Sequence, residues 1–315
     1  MNLNFLKKGD VVDVISTGTA CTFDELEKIK NFIKKIGLKP NIFLEKKLAL
    51  KKAVPYEFPS FAAEIRFKQF KKAAENPDSK IIWCARGGYG TAEILPFLQQ
   101  LKKPKTKKIF IGFSDISSLN KFLIDKWNWQ VITAPMLAQI ALNKVSQNSI
   151  KAIVDLIFGR KKELKYELNH LTTHDSRLTT TQITGGCLSV LAGHFGTKNQ
   201  IDWNKKILFL EDEGEDGERL DRYFNQLIQI IFETKKYPSA ILLGNFLESN
   251  NHGTPKAKNI ELAIKKFAKN LIEKNLKIPL FEEKSKCLGH SKNIMPLILG
   301  GEAKITEDKF LIQKI

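Results

Sequence analysis

The sequence predicts an α/β fold in two parts: an N-terminal domain built on a parallel β-sheet and a smaller C-terminal domain of mixed α/β type. Three observations carry this. Short apolar runs with strand character alternate with helical stretches through the first half. Those runs are nearly continuous in apolar residues, as strands buried on both faces are. A charged, polar stretch then precedes a less regular second half. The expected boundaries are 1–160 for the first domain, 161–178 for the connection and 179–315 for the second.

The first strand is expected over residues 11–16, where VVDVIS carries a single charge, Asp13. Thr22-Phe23-Asp24-Glu25 reads as a capping box. Behind it Phe23, Leu26, Ile29, Phe32, Ile33 and Ile36 share one helical face, and Gly37 ends the helix. A short strand over 40–44 and a helix over 62–75, stopped at Asn76-Pro77, follow. The run IIWCA (81–85) is a buried strand and leads into a glycine turn, RGGYG. The next strand spans 109–113, with Ser114 at its end and a helix opening directly after it. Residues 131–133 and 150–158 supply a further strand and helix.

In the second half a glycine turn at Gly185-Gly186, a strand over 207–210 and a helix over 220–232 are expected. A strand over 240–246, a helix over 260–273 and a closing run of short strands complete the chain.

Composition excludes several classes. The 315 residues are 43% hydrophobic, enough for two cores, yet no apolar run reaches the roughly 18 residues of a membrane helix. The N-terminus reads as a first strand and not as a signal peptide, so the expected address is the cytoplasm. Cys21, Cys84, Cys187 and Cys287 are too dispersed for a zinc site or a disulfide scaffold, and Cys84 reads as a packing residue. The net charge of +17 comes from lysines scattered over most helices rather than from one block, which suits a solvated surface better than a nucleic-acid interface. No membrane or nucleic-acid partner is expected, and no metal, because His170, His174, His194, His252 and His290 form no ligand cluster.

Chemistry is concentrated in a few segments. A serine between a strand and a helix, as in IGFSDISS, sits on a tight turn with free amides and the positive helix end beside it. Those can stabilise an oxyanion, although this segment alone favours reading Ser114 as a plain N-cap. CARGGYG lets backbone approach a ligand through Gly87, Gly88 and Gly90, but its spacing is neither a P-loop nor a dinucleotide fingerprint. In ILFLEDEGEDGERLDR, Glu211 follows a buried strand directly, while Asp216 or Glu218 suits a helix start. His290 lies in a glycine-flanked turn, CLGHSKN.

Taken in order, KKGDVVDVIS, WCARGGYGTAEILP, IGFSDISSL, TGGCLSVLAGHFGT, ILFLEDEGEDGERLDRYFNQL, ILLGNF and GHSKNIMPLILGGEAKI resemble peptidase family S66, the LD-carboxypeptidases and related microcin-C immunity peptidases, over nearly the whole chain. The resemblance implies a flavodoxin-like or Rossmann-like N-terminal domain and usually a homodimer. It implies a serine-type triad of Ser114, Glu211 and His290, with the backbone amides of Gly88 and Asp115 as oxyanion hole and no cofactor. The implied reaction releases the terminal D-alanine from cytoplasmic muropeptide tetrapeptides in peptidoglycan recycling. An amidase acting on microcin-like aminoacyl nucleotides is the alternative within the family, and a basic nucleic-acid-binding protein the non-enzymatic one. The chain departs from the family pattern at Ile15-Ser16-Thr17 and Thr133-Ala134-Pro135, positions that bear on specificity.

Overall fold

The computed structural model describes residues 3–43, 61–172, 179–247, 257–274 and 276–315. The ends of the expected strand at Leu44 and of the expected connection at 173–178 fall outside these residues, as do His174 and His252.

The first domain is the expected parallel sheet. Strands β1 (Val11–Ile15), β2 (Lys39–Ile42), β3 (Ser79–Cys84), β4 (Ile109–Ile111) and β5 (Gln130–Thr133) pair in the order β5-β4-β3-β1-β2, all parallel. Every residue of β4 and β5 is buried, the signature of strands covered on both faces. Helix α1 (Phe23–Lys35) starts on the expected capping box: Thr22 Oγ1 accepts from Glu25 N, and Glu25 accepts from Thr22 N at 2.8 Å. Helix α2 (Ala63–Glu75) packs on β1 and β3. The short helices α3 (Leu95–Leu98) and α4 (Leu137–Ala141) and helix α5 (Gln147–Ile157) complete this half. The charge within β1 has a buried partner: Asp13 and Lys108 are both fully buried and 3.3 Å apart, and Lys108 Nζ also donates to the carbonyls of Ala73 and Asn76.

Two expectations about the second domain are corrected. It is a closed barrel rather than a loose α/β mixture. Its strands are β6 (Glu163–His170), β7 (Thr179–Cys187), β8 (Ile207–Glu213), β9 (Ala240–Leu247), β10 (Leu280–Glu283), β12 (Glu302–Ile305) and β13 (Phe310–Lys314), in the order β10-β6-β13-β12-β7-β8-β9. The neighbours from β7 through β8 and β9 to β10 are parallel, with helices α6 (Leu188–Ala192), α7 (Gly217–Thr234) and α8 (Ala257–Glu273) in the connections, and the other pairs are antiparallel. The charged stretch read as a connection contributes β6, whose burial alternates strictly residue by residue. Leu164, Tyr166 and Leu168 point inward while Glu163, Lys165 and Glu167 face water, the period of a half-buried strand.

The halves are interlocked. Strand β11 (Leu297–Leu299) leaves the barrel sequence and adds antiparallel to β5 at the edge of the first sheet. Barrel-interior residues such as Ile183, Phe209, Leu242 and Leu311 belong to the same core as the first sheet, while Leu208, Leu210, Phe224 and Phe267 form a second core under the helices. The Phe224 and Phe267 rings stack there at 4.3 Å. No helix among the described residues is long and apolar enough to cross a membrane.

Candidate active site

Ser114 closes the loop after β4 with φ +64°, a left-handed conformation that costs a residue with a Cβ about 1–2 kcal/mol. The expected α-helix behind it is instead a 3-10 turn over Ser114–Leu119 followed by one π-type turn over Lys121–Lys126. Its side chains explain the irregularity, because they are tied to the barrel. Ser117 Oγ accepts from Cys187 N at 3.1 Å, and Asn120 Nδ2 donates to Gly185 O at 2.7 Å. Gly185 and Gly186 therefore do not form a turn. They lie within strand β7, near its end, with φ +138° and +145°, and a Cβ on Gly186 would meet Ser117 Oγ at 2.5 Å.

The glycine turn after β3 faces Ser114. A Cβ at Gly87 would lie 3.2 Å from Ser114 Cβ, so only glycine admits this approach without displacement. Gly88, at φ +88°, lines the same cavity as Ser114. Asp115, the residue after the serine, holds the turn with its side chain: its carboxylate accepts from Thr91 N at 2.9 Å. Burial pushes the Asp115 carboxyl up, against hydrogen bonds from Thr91 and Gly90 that lower it.

Glu211 and His290 meet across the barrel mouth. Glu211 Oε2 accepts from His290 Nδ1 at 2.6 Å and from the His290 main-chain N at 2.9 Å. The strand period separates Glu211 from its neighbour. Glu211 shares the face of Phe209, whereas Asp212 lies on the helix-covered face of Leu208 and Leu210. There Asp212 accepts from Ser189 N at 2.6 Å and Ser189 Oγ at 3.1 Å, at the start of α6. Burial and the adjacent Glu211 charge push the Asp212 carboxyl up to about 7.

For His290, burial lowers the imidazole pKa, but the carboxylates of Glu211, Glu213 and Asp212 outweigh it and raise it to about 9. Its Nε2 lies 3.5 Å from Glu213 Oε2, and its ring is tilted against Phe113 at 4.7 Å. Gly289, at φ +94°, makes the approach possible, since a Cβ there would strike Glu211 at 2.6 Å.

Sequence reasoning missed Asn245. The β8–β9 register slips between Leu210 and Asp212, leaving one extra residue on β9, a β-bulge. Next to it, Asn245 N donates to Leu288 O at 2.7 Å and Asn245 Nδ2 to His290 O at 2.6 Å, so this one residue fixes the loop that carries the histidine. Nothing local in ILLGNF announces a bulge, because the slip arises from pairing with a distant strand.

The structure thus brings Ser114, Gly88 and His290 into the wall of one cavity of about 730 Å³, with Glu211 buried behind His290. Among the described residues, no group of three or more His, Cys, Asp or Glu side chains is arranged to hold a metal ion. All four cysteines are free and buried, Cys84 completely.

Residues 12–134 match the LD-carboxypeptidase N-terminal domain and residues 180–305 the LD-carboxypeptidase C-terminal domain, both of peptidase family S66. The chain belongs to peptidase family S66. It is 31% identical over 306 residues to a putative carboxypeptidase of Rickettsia conorii, covering 95% of this chain and 88% of that one. To the murein tetrapeptide carboxypeptidase of Pseudomonas aeruginosa it is 32% identical over 206 residues, 61% of this chain and 64% of the relative. Among solved structures, a muramoyltetrapeptide carboxypeptidase from Oxalobacter formigenes shares the fold with a TM-score of 0.75 at 22% identity, covering 97% of this chain and 99% of that one. An MccF-like protein from Bacillus anthracis does so with 0.77 at 19% identity, over 100% and 99%. This S66 chain is therefore a hydrolase of a carboxypeptidase family.

Proposed function

We propose that this S66 protein is a serine-type LD-carboxypeptidase that releases terminal D-alanine from a murein tetrapeptide. The observation that carries the reading is the shared cavity of Ser114 and His290, with the imidazole held from behind by Glu211. Each part has a physical role. Ser114 Oγ attacks the carbonyl carbon of the scissile amide, and His290 Nε2 takes its proton. Glu211 accepts from Nδ1, so it fixes the tautomer and balances the imidazolium that forms. The main-chain amides of Gly88 and Asp115 receive the oxyanion. His290 then returns the proton to the departing amine, D-alanine leaves, and water frees the acyl group from Ser114.

A muropeptide is a fragment of cell wall, so the reaction belongs to peptidoglycan turnover. Four free cysteines suit a reducing compartment, which supports a cytoplasmic site for it. The test is to incubate the protein with free murein tetrapeptide and quantify D-alanine. Release at a rate abolished by Ser114→Ala supports the reading. Hydrolysis of an aminoacyl sulfamoyl adenosine with no D-alanine release would replace it with the amidase reading.

A further inference from the structure

Two lysines line the catalytic cavity. Lys144 and Lys292 both line it, one from each half of the molecule. Among the described residues neither is held in an ion pair or a side-chain hydrogen bond. The other cation in the wall, Arg86, is already engaged by the carboxylate of Glu25. The two lysine-bearing turns are built to lie together. Beyond helix α4, Asn143 adopts a left-handed conformation, φ +54°, and Lys144 N closes the turn onto Gln139 O at 2.8 Å. Ser146 N then donates to Lys292 O at 2.8 Å, joining this turn to the loop that carries His290.

We infer that Lys144 and Lys292 form the subsite for the free carboxylate of the leaving residue, and so make the enzyme an exopeptidase. The inference rests on the serine-peptidase reading above. It adds which residues select a chain end, and its argument is one of direction. The departing amine has to lie within hydrogen-bond reach of His290 Nε2, because that nitrogen returns the proton. In a peptide with a free C-terminus the carboxylate sits one Cα beyond that amine. A cation that recognises it therefore belongs on the His290 side of the cavity, beyond the imidazole. Lys292 follows His290 by two residues, and the main-chain Ser146–Lys292 bond joins the turn that bears Lys144 to the same loop. Glu213, the one carboxylate among the described residues of the cavity wall, lies instead against His290 Nε2 itself. A peptide bond in mid-chain offers this end no anion, so binding energy is realised only with a terminal residue.

The experiment compares the murein tetrapeptide with its C-terminal amide. The serine-intact protein is assayed for hydrolysis of each, and Ser114→Ala is titrated with each by calorimetry. The acid is expected to be favoured over the amide by roughly 10- to 100-fold in kcat/KM and in affinity, the range of a charge-assisted contact. Lys144→Met with Lys292→Met should bring that ratio close to one, and Lys292→Arg should restore much of it relative to Lys292→Met. A matching circular dichroism melt establishes that the double variant is folded. If the double variant keeps the acid-to-amide ratio of the parent, the subsite assignment is overturned while the peptidase reading stands. If Ser114→Ala binds the acid selectively through the lysines but the intact protein cuts neither peptide, the lysines bind a terminal carboxylate, but the peptidase reading and the assignment to a leaving residue are both overturned.

Discussion

One oxygen of Glu211, Oε2, accepts two hydrogen bonds from the same residue, His290: one from the ring Nδ1 at 2.6 Å and one from the main-chain N at 2.9 Å. The carboxylate thus sets both the ring and the backbone segment that bears it. A ring free to rotate about its side-chain bonds would otherwise have to be held by packing alone.

Glu211→Gln should therefore lower kcat/KM by roughly 10²- to 10⁴-fold, since an amide can present its N–H to Nδ1 and favour the wrong tautomer. Asp212→Asn, on the opposite face of β8, should change it far less. Steady-state kinetics on the two variants decides between them. A large loss in Asp212→Asn with a small one in Glu211→Gln would reassign the acid.

Ser114 supplies a prediction that separates strain from chemistry. Ser114→Ala and Ser114→Gly should both lose turnover by on the order of 10²-fold or more. Ser114→Gly should nevertheless be the more stable of the two, by about 1 kcal/mol, because glycine adopts φ +64° without the Cβ penalty. Denaturant midpoints of the two variants measure the difference. Equal midpoints would mean that the turn stores no strain.

The raised His290 pKa gives a pH dependence with a definite sign. In the proposed mechanism His290 must be neutral to accept the Ser114 proton, so kcat/KM should climb with pH along a limb displaced above the ordinary histidine range, toward about 9. Glu213, 3.5 Å from Nε2, is one of the charges that raise it. Glu213→Gln should move that limb to lower pH and increase activity on its acid side. An unmoved limb would mean that Glu213 does not act on the imidazole. For stability, the folded pKa lies above the unfolded value near 6.5. The contribution of the pair is then complete below that value and is lost as pH rises through about 9.

The Asn245 side chain is bonded to the His290 carbonyl. Asn245→Leu should leave the protein folded but reduce kcat about 10-fold or more, with KM little altered, because the His290 carbonyl loses its side-chain bond to β9. Asn245→Asp, which keeps size but cannot donate to the His290 carbonyl, should fall similarly. If both variants retain full kcat, the bulge on β9 has no positioning role.

The parts of this site that could be read from the chain are those encoded locally. Alternation along ILFLED separates Glu211 from Asp212, and Ser114 stands out because an apolar run stops one residue before it. What could not be read depends on distant pairing. Strand β6 hides in a charged stretch because its polar half dominates composition even though its apolar half keeps strict alternation. The bulge that aims Asn245 exists only relative to β8. Barrel closure is a property of seven strands together, and no single strand carries a mark of it.

Strand β11 has a consequence for how the molecule is made. The ribosome synthesises the first sheet with the outer edge of β5 uncovered, then all strands of the barrel up to β10, before the segment that covers that edge appears. An open edge is a template for pairing with other chains. A nascent or truncated polypeptide that ends before Leu297 would carry Ser114 on an unfinished, association-prone sheet. Completion of the sheet that carries Ser114 is thus deferred until the segments bearing Glu211 and His290 have already been translated, so that partial products lacking β11 are disposed to aggregate or be degraded.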